Sequence, residues 1–210
     1  MDSEERPSTA SHQREVVSLH VGQAGVQLGA ASWQLFCLEH NLSPAGVRAP
    51  PSHPPPLTYD EDDLSFLSFF EEASANRYRP RAVFIDTDPS AVQQLSASPY
   101  ARLYSGAQLL YGREDAASNF ARGYNSAGHR LLQPALQQIR LQVEACDNLQ
   151  IVHDMPTRDA EALPSQGFLL HHAAGGGTGS GLTARLADHI ATEYPKKIDV
   201  RFAVMPSTKV

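Results

Sequence analysis

The run Gly175-Gly176-Gly177-Thr178-Gly179-Ser180-Gly181 constrains this chain more than any other stretch. Apolar Phe168-Leu169-Leu170-His171-His172-Ala173 precedes it and helix-like spacing resumes at Leu182, which predicts a strand, a glycine loop and a helix N-terminus. Such a loop suits phosphate. Without Cβ atoms, successive backbone N–H groups converge on one point, and the unpaired amides of a helix start add positive potential there. Thr178 and Ser180 add hydroxyl donors. A tight turn where two backbones pack closely is the plainer alternative for a glycine run. A P-loop needs Lys and then Ser or Thr after its last glycine, where Leu182 stands, so that motif is excluded. Gly179-x-Gly181-x-x-Ala184 satisfies the looser dinucleotide pattern, but Asp199 opens the next strand instead of closing it, so an oxidoreductase reading rests on that fragment alone.

The remaining periodicities alternate strand with helix. Glu15–Val21 is expected to be a strand buried on both sides, ended by Gly22, and Val26–Glu39 a helix packed through Val26, Leu28, Trp33, Leu35, Phe36 and Leu38. Ala82–Ile85 is a short strand running into Asp86-Thr87-Asp88-Pro89, where Asp88 caps a helix with Pro at its first position. Glu114–Arg122 is expected as a helical turn leading into a longer helix towards Cys146, interrupted or kinked at Pro134. Leu182–Tyr194 and Asp199–Met205 complete the pattern as a helix and a strand. These elements predict a mostly parallel, Rossmann-like α/β sheet with helices on both faces, its ligand outside the strands' carboxyl ends. Gln23, Asp86, Asp88 and the glycine loop all fall there. His171 and His172 point to opposite faces of their strand and cannot share a metal, so packing or capping is their expected role.

Composition excludes several classes. A formal charge of −6 and only three lysines argue against a nucleic-acid surface, and the hydrophobic content of 41% over 210 residues fits one core of a soluble globular class, with no membrane partner expected. Cys37 and Cys146 both fall in expected helices and are expected as reduced thiols. Residues 1–13 are polar, lack a signal-like apolar core and are expected to form a disordered extension before a nucleotide-binding domain over 14–210. Within that domain, 41–63 is a proline-rich loop and 151–166 an inserted loop.

The loop GGGTGSG matches the tubulin signature letter for letter, and further segments agree in the family's order. They are His20–Gln27 (HVGQAGVQ), Cys37–His40 (CLEH), Pro80–Asp86 (PRAVFID), and Glu114–Ala117 (EDAA) with Ala121–Gly123 (ARG). The chain therefore resembles the N-terminal, GTP-binding half of a divergent alpha-type tubulin from about Arg14 onward, with Ala24 and CLEH favouring alpha over beta. The resemblance implies that Gly22, Gln23, Ala24, Ser118, Gly175, Gly176, Gly177, Thr178 and Gly179 hold GTP, and that Asp86 and Asp88 support Mg²⁺ through its water shell. It also implies a beta-type tubulin partner in a filament, and a cytoplasmic, cytoskeletal location.

Departures accompany the match. Ser118 stands where tubulins place asparagine, Ala173 where alpha-type chains place serine, Asp88 where glutamate is usual, and Pro134 where the family has an apolar residue. The loop over 41–63 contains no lysine for the acetylation known in alpha-type chains, so that modification is not carried over. The family's base- and ribose-gripping segments, and the glutamate it donates to a neighbouring subunit for hydrolysis, have no counterpart in these residues. No catalytic residue is therefore assigned. A GTP-binding assembly subunit and a truncated remnant or interaction module without turnover both remain expectations.

Overall fold

The structure, a computed structural model, describes residues 15–48, 65–146, 167–195 and 197–207. The expected extension over 1–13, the inserted loop over 151–166 and the proline-rich loop from residue 49 onward lie outside the described residues.

Five strands form one parallel sheet: β1 (Val16–Val21), β4 (Ala82–Asp86), β5 (Leu109–Tyr111), β6 (Gly167–Ala173) and β7 (Ile198–Val204), in the spatial order β5-β4-β1-β6-β7. A two-stranded antiparallel hairpin, β2 (Phe70–Ser74) and β3 (Arg77–Pro80), lies before β4. The helices are α1 (Gly22–Glu39), α2 (Pro89–Ser96), α3 (Phe120–Asn125), α4 (Ala127–Glu144) and α5 (Thr183–Glu193), the last entered through a π-helical turn at Thr178–Leu182. The mostly parallel α/β architecture expected from the alternating pattern is the one observed. Sequential strands run outward from β1 to β5 on one side, and β6 returns to the other side of β1. The order therefore reverses between β1 and β6, where open parallel sheets bind ligands.

Each face of the sheet carries its own core. Val17, Leu19 and Val21 of β1, Val83 and Ile85 of β4, and Phe168 and Leu170 of β6 pack under Leu132, Ala135 and Ile139 of α4 and Leu186 and Ile190 of α5. Ala82 and Phe84 turn to the other face, against Val26, Trp33 and Cys37 of α1 and Val92 and Leu95 of α2. This alternation on two covered faces explains why β1 and β4 are apolar almost throughout.

The α1 contact differs from the expected one. Leu28, Leu35 and Leu38 are exposed, and the buried stripe is Gly22, Gly25, Val26, Gly29, Trp33 and Cys37. A Cβ at Gly25 would lie 2.2 Å from the His171 carbonyl oxygen, and one at Gly29 only 2.4 Å from His20 Nδ1. Glycine thus lets the helix axis settle onto β1 and β6 where a larger residue would hold it off. Two further expectations are corrected. α4 runs through Pro134 without interruption; Pro134 is on the exposed side, where the carbonyl it leaves unpaired can be hydrated. Residues 114–119 form a loop, with the helix beginning only at Phe120. Cys37 and Cys146 are free and buried, burial pushing each thiol up to about 12, although Cys146 lies just past the end of α4 and not within it.

Beneath the α1 face runs a cross-strand ladder of rings. Phe84, His20, His171 and Phe202 stack in register across β4, β1, β6 and β7, with centroid separations of 4.5, 4.7 and 5.0 Å. The Trp33 indole N–H donates to His20 Nε2 at 3.0 Å, which requires that nitrogen to be unprotonated. At the opposite, amino end of the sheet, Arg81 pairs with buried Glu15 at 2.8 Å and donates to the Ala145 carbonyl at 2.9 Å, tying β4 to β1 and to the end of α4.

Burial holds the His20 imidazole well below its usual range, with the adjacent His171 adding to the effect. The unfolded chain therefore takes up protons first as pH falls. The His20 contribution to stability should be constant above about pH 7 and decline progressively below about 6.5, the usual imidazole value. His20→Phe should cost about 1–3 kcal/mol at neutral pH by stranding the Trp33 N–H, and should flatten that acid slope. Thermal unfolding followed by fluorescence of Trp33, the one tryptophan in the sequence, measures both effects.

Candidate functional site

At the reversal point the ends of three strands and one loop enclose a cleft of about 480 Å³. Gly22, Gln23 and Ala24 enter it from the start of α1, Asp86 and Asp88 from the end of β4, and Ser118 from the loop before α3. Ala173 and Gly175 to Gly179 come from the end of β6. The residues singled out in the sequence for nucleotide or cation contact thus line one space, except Ser180, which does not reach it. Ser90, Ala91 and Asp115 join them without having been singled out. Asp115 was legible as part of the segment Glu114–Ala117. Ser90 and Ala91 are placed by the first turn of α2, for which the only signal was the Asp-Pro cap.

Close backbone packing builds the glycine side. Gly22 has φ +73°, and a Cβ there would meet the Gly179 nitrogen at 3.0 Å. A Cβ at Gly177 would lie 2.5 Å from the Ala116 Cβ, and one at Gly123 only 2.0 Å from the Gly177 carbonyl oxygen. The glycines therefore serve two ends: a compact junction of β1, β6, α3 and the loop before α3, and a turn whose backbone faces the cleft. No side chain caps the π-helical turn, which leaves its first amides without a side-chain partner beside the cleft that Thr178 and Gly179 line. α3 is fixed from behind by the Arg185 guanidinium, which donates to the Tyr124 carbonyl at 2.7 Å.

The two hydroxyls expected as donors are used within the protein. Thr178 Oγ1 is hydrogen-bonded to Thr87 Oγ1, and Ser180 Oγ donates to the Gly176 carbonyl. What remains on this side is backbone N–H. His172 Nδ1 lies 2.9 Å from the Gly179 carbonyl and so pins the loop to the strand, while His171 belongs to the ring ladder. The two histidines thus have the separate structural roles expected of them. Asp199, the weak point of a dinucleotide reading, opens β7 and pairs with Arg201 at 2.6 Å instead of approaching the cleft.

The opposing side is acidic. Asp88 caps α2 by accepting from the Ser90 amide at 2.8 Å, and the two hydrogen bonds from Ser90 hold its carboxyl below the usual range. Asp86 is only 4% exposed. Burial pushes its carboxyl up to about 6, partly offset by the Asp88 and Thr87 amides, while the charges of Asp88 and Asp115 raise it further. Among the described residues, no lysine or arginine lines the cleft. The space is thus polarised, with backbone amides on one wall and three carboxylates on the other. That arrangement suits a polyanion accompanied by a divalent cation, and it disfavours an anion alone. Among the described residues no group of three His, Cys, Asp or Glu side chains is set to hold a metal by itself, so a cation here needs further oxygens from water or ligand.

Comparison with known proteins places the whole described chain in one group. The family model described as Tubulin/FtsZ family, GTPase domain, matches residues 15–157 and 157–210. The "Tubulin alpha chain" of Encephalitozoon cuniculi is 39% identical over 198 residues, covering 94% of this chain and 39% of that relative. The "Tubulin alpha-2 chain" of Caenorhabditis elegans is 37% identical over 197 residues, with the same coverage of 94% and 39%. The chain thus spans about two fifths of the length of the curated relatives it matches.

The raised Asp86 carboxyl predicts a measurable conflict between site and stability. The folded chain holds the proton more tightly than the unfolded one, so ionising Asp86 destabilises the fold as pH rises from about 4 through about 6. Asp86→Asn should therefore stabilise the ligand-free chain at pH 8, on the order of 1–3 kcal/mol, with the gain shrinking towards pH 4. Denaturant melts at both pH values check this.

Proposed function

The chain belongs to the Tubulin/FtsZ family through its GTPase domain, and we propose that it is a GTP-binding, alpha-tubulin-like subunit of the microtubule cytoskeleton. The observation that carries this reading is the polarised cleft at the β1/β6 reversal, with the glycine loop facing carboxylates and no cationic side chain among the described residues that line it. Phosphate oxygens accept from the amides of Gly175 to Gly179 and from the start of α1 at Gly22 and Gln23. Ala24 shapes the adjoining wall, and Ser118 offers its hydroxyl from the facing loop. Mg²⁺, when bound, neutralises phosphate charge. Asp86 and Asp88 hold its water shell, which fits a carboxylate pair that is too small to form a complete coordination sphere alone.

Guanine selectivity, pairing with a beta-type tubulin and placement in the cytoplasmic cytoskeleton form part of the proposal, supported by the likeness to alpha-type relatives. No residue lining the cleft is assigned as a general base. Nucleotide binding is therefore the activity proposed for these residues, and turnover depends on what a neighbouring subunit supplies.

Labelled GTP with Mg²⁺, titrated against ATP and NADH as competitors, tests the reading. Saturable binding displaced by unlabelled GTP alone is the expected result, with a loss of at least about 100-fold in Gly177→Asp, where a carboxylate would enter the amide-lined turn and clash with Ala116. A folded chain that binds none of these nucleotides would favour an interaction module without nucleotide, and displacement by NADH would revive the dinucleotide alternative.

A further inference from the structure

Thr87 is completely buried between the two carboxylates at the end of β4, and it does not line the cleft. Its hydroxyl is hydrogen-bonded to that of Thr178 in the glycine loop and accepts from the Ala116 N–H at 3.3 Å. A single buried oxygen thus joins three separate segments of the cleft wall: the carboxylate strand end, the glycine loop and the loop before α3. The segment it anchors is strained. Ala117 and Ser118, immediately after Ala116, both have left-handed backbone, with φ of 49° and 53°. Two consecutive non-glycine residues there are unfavourable and persist only where surrounding bonds hold them. The anchors on this stretch are the Ala116 amide on Thr87, the turn from Asn119 N–H to the Ala116 carbonyl at 3.0 Å, and the Ala116 Cβ against Gly177.

We propose that Thr87 is a positioning residue: its hydroxyl, acting through Thr178 and Ala116, sets the spacing between the glycine loop and Ser118 across the phosphate-binding cleft. The inference rests on the nucleotide reading above. If Thr87 only filled space in the core, any side chain of its shape would serve. If it tethers, the hydroxyl itself is required. Without it, the Ala116 amide and the Thr178 hydroxyl both lose a buried partner, and residues 117 and 118 can relax out of the left-handed region, carrying Ser118 away from Gly177.

The test compares Thr87→Val, which keeps the shape without the hydroxyl, with Thr87→Ser, which keeps the hydroxyl. The readouts are guanine-nucleotide affinity and hydrogen exchange of the Ala116 amide in the nucleotide-free chain. Thr87→Val should weaken binding at least about tenfold and speed Ala116 exchange by a similar factor, with Thr87→Ser within about threefold of wild type in both. Thr178→Val breaks the same bond from the other side. It should weaken binding comparably, and the double variant should be little weaker than either single one. Trp33 fluorescence reports whether each variant is folded, and Thr178→Val carries the test if Thr87→Val is not.

Affinity and exchange unchanged in Thr87→Val would overturn the proposal, as would a Thr87→Ser variant as impaired as Thr87→Val. A wild-type chain without any nucleotide affinity would sink the functional reading and, with it, a ligand-positioning role. The exchange data would then show separately whether the tether between the loops exists.

Discussion

The cleft depends on one close approach, that of Gly22, the first residue after β1, to Gly179 in the π-helical turn that follows β6. Neighbouring parallel strands lie roughly 5 Å apart, and where their continuations both turn outward a gap opens between them. Here the gap is narrowed until a Cβ on Gly22 would sit 3.0 Å from the Gly179 nitrogen, so the amides of two different turns face the same small space. The same limitation recurs at each layer behind it. Gly177 lies under Ala116, Gly123 under the Gly177 carbonyl and Gly181 against the Phe120 carbonyl. Conformational freedom is needed at Gly22 and Gly176, whose φ values are positive; at the others it is the absent side chain that matters.

That geometry determines the electrostatics. With no cationic side chain among the described residues of the wall, favourable interactions for the phosphate proposed above would come from backbone dipoles, which are fixed in direction and need no desolvation of a lysine or arginine. Dipoles alone cannot balance a triphosphate. The three carboxylates opposite make the imbalance worse unless a cation joins them. The Asp86 carboxyl, pushed up to about 6, shows how unfavourable the ligand-free arrangement is: burial and neighbouring charges oppose its ionisation, and a bound divalent cation would reverse both effects. In the proposed reading, a site built this way would couple anion and cation, each stabilising the state the other requires.

Much of this was legible in the sequence because the constraints are local. Alternating apolar residues, the Asp-Pro cap and the glycine run each have a backbone explanation confined to a few positions, and the strand ends they define converge once the sheet is parallel. What escaped depends on tertiary contacts. The packing face of α1 looked leucine-rich, yet the glycines lie against the sheet and the leucines face outward, because hydrophobic spacing cannot reveal that a helix must come close to a strand carbonyl. Pro134 is expected to interrupt or kink α4, and the structure shows one helix running through it with Pro134 on the exposed side. The hydroxyls of Thr178 and Ser180 looked available for ligand, since nothing in the sequence pairs Thr178 with Thr87, 91 residues away. The β2/β3 hairpin and the short strand β5 had no pattern long enough to be read.

The same local–tertiary distinction links the core to the site. The ring ladder from Phe84 to Phe202 passes directly under α1, and His20 belongs to both: it stacks between β4 and β6 and accepts the Trp33 indole hydrogen bond from the helix. Gly25 and Gly29 allow α1 to rest on that ladder, and the helix begins only two residues after His20, with Gln23 in its first turn at the cleft. Any change that lifts α1 from the rings must also tilt its N-terminus, and the amides it contributes, relative to the glycine loop. The histidine is thus structural in its contacts and yet sets the geometry of a site it does not touch. A buried neutral imidazole can do this because it offers a flat ring for stacking and an acceptor nitrogen for the helix, and phenylalanine offers only the first of these.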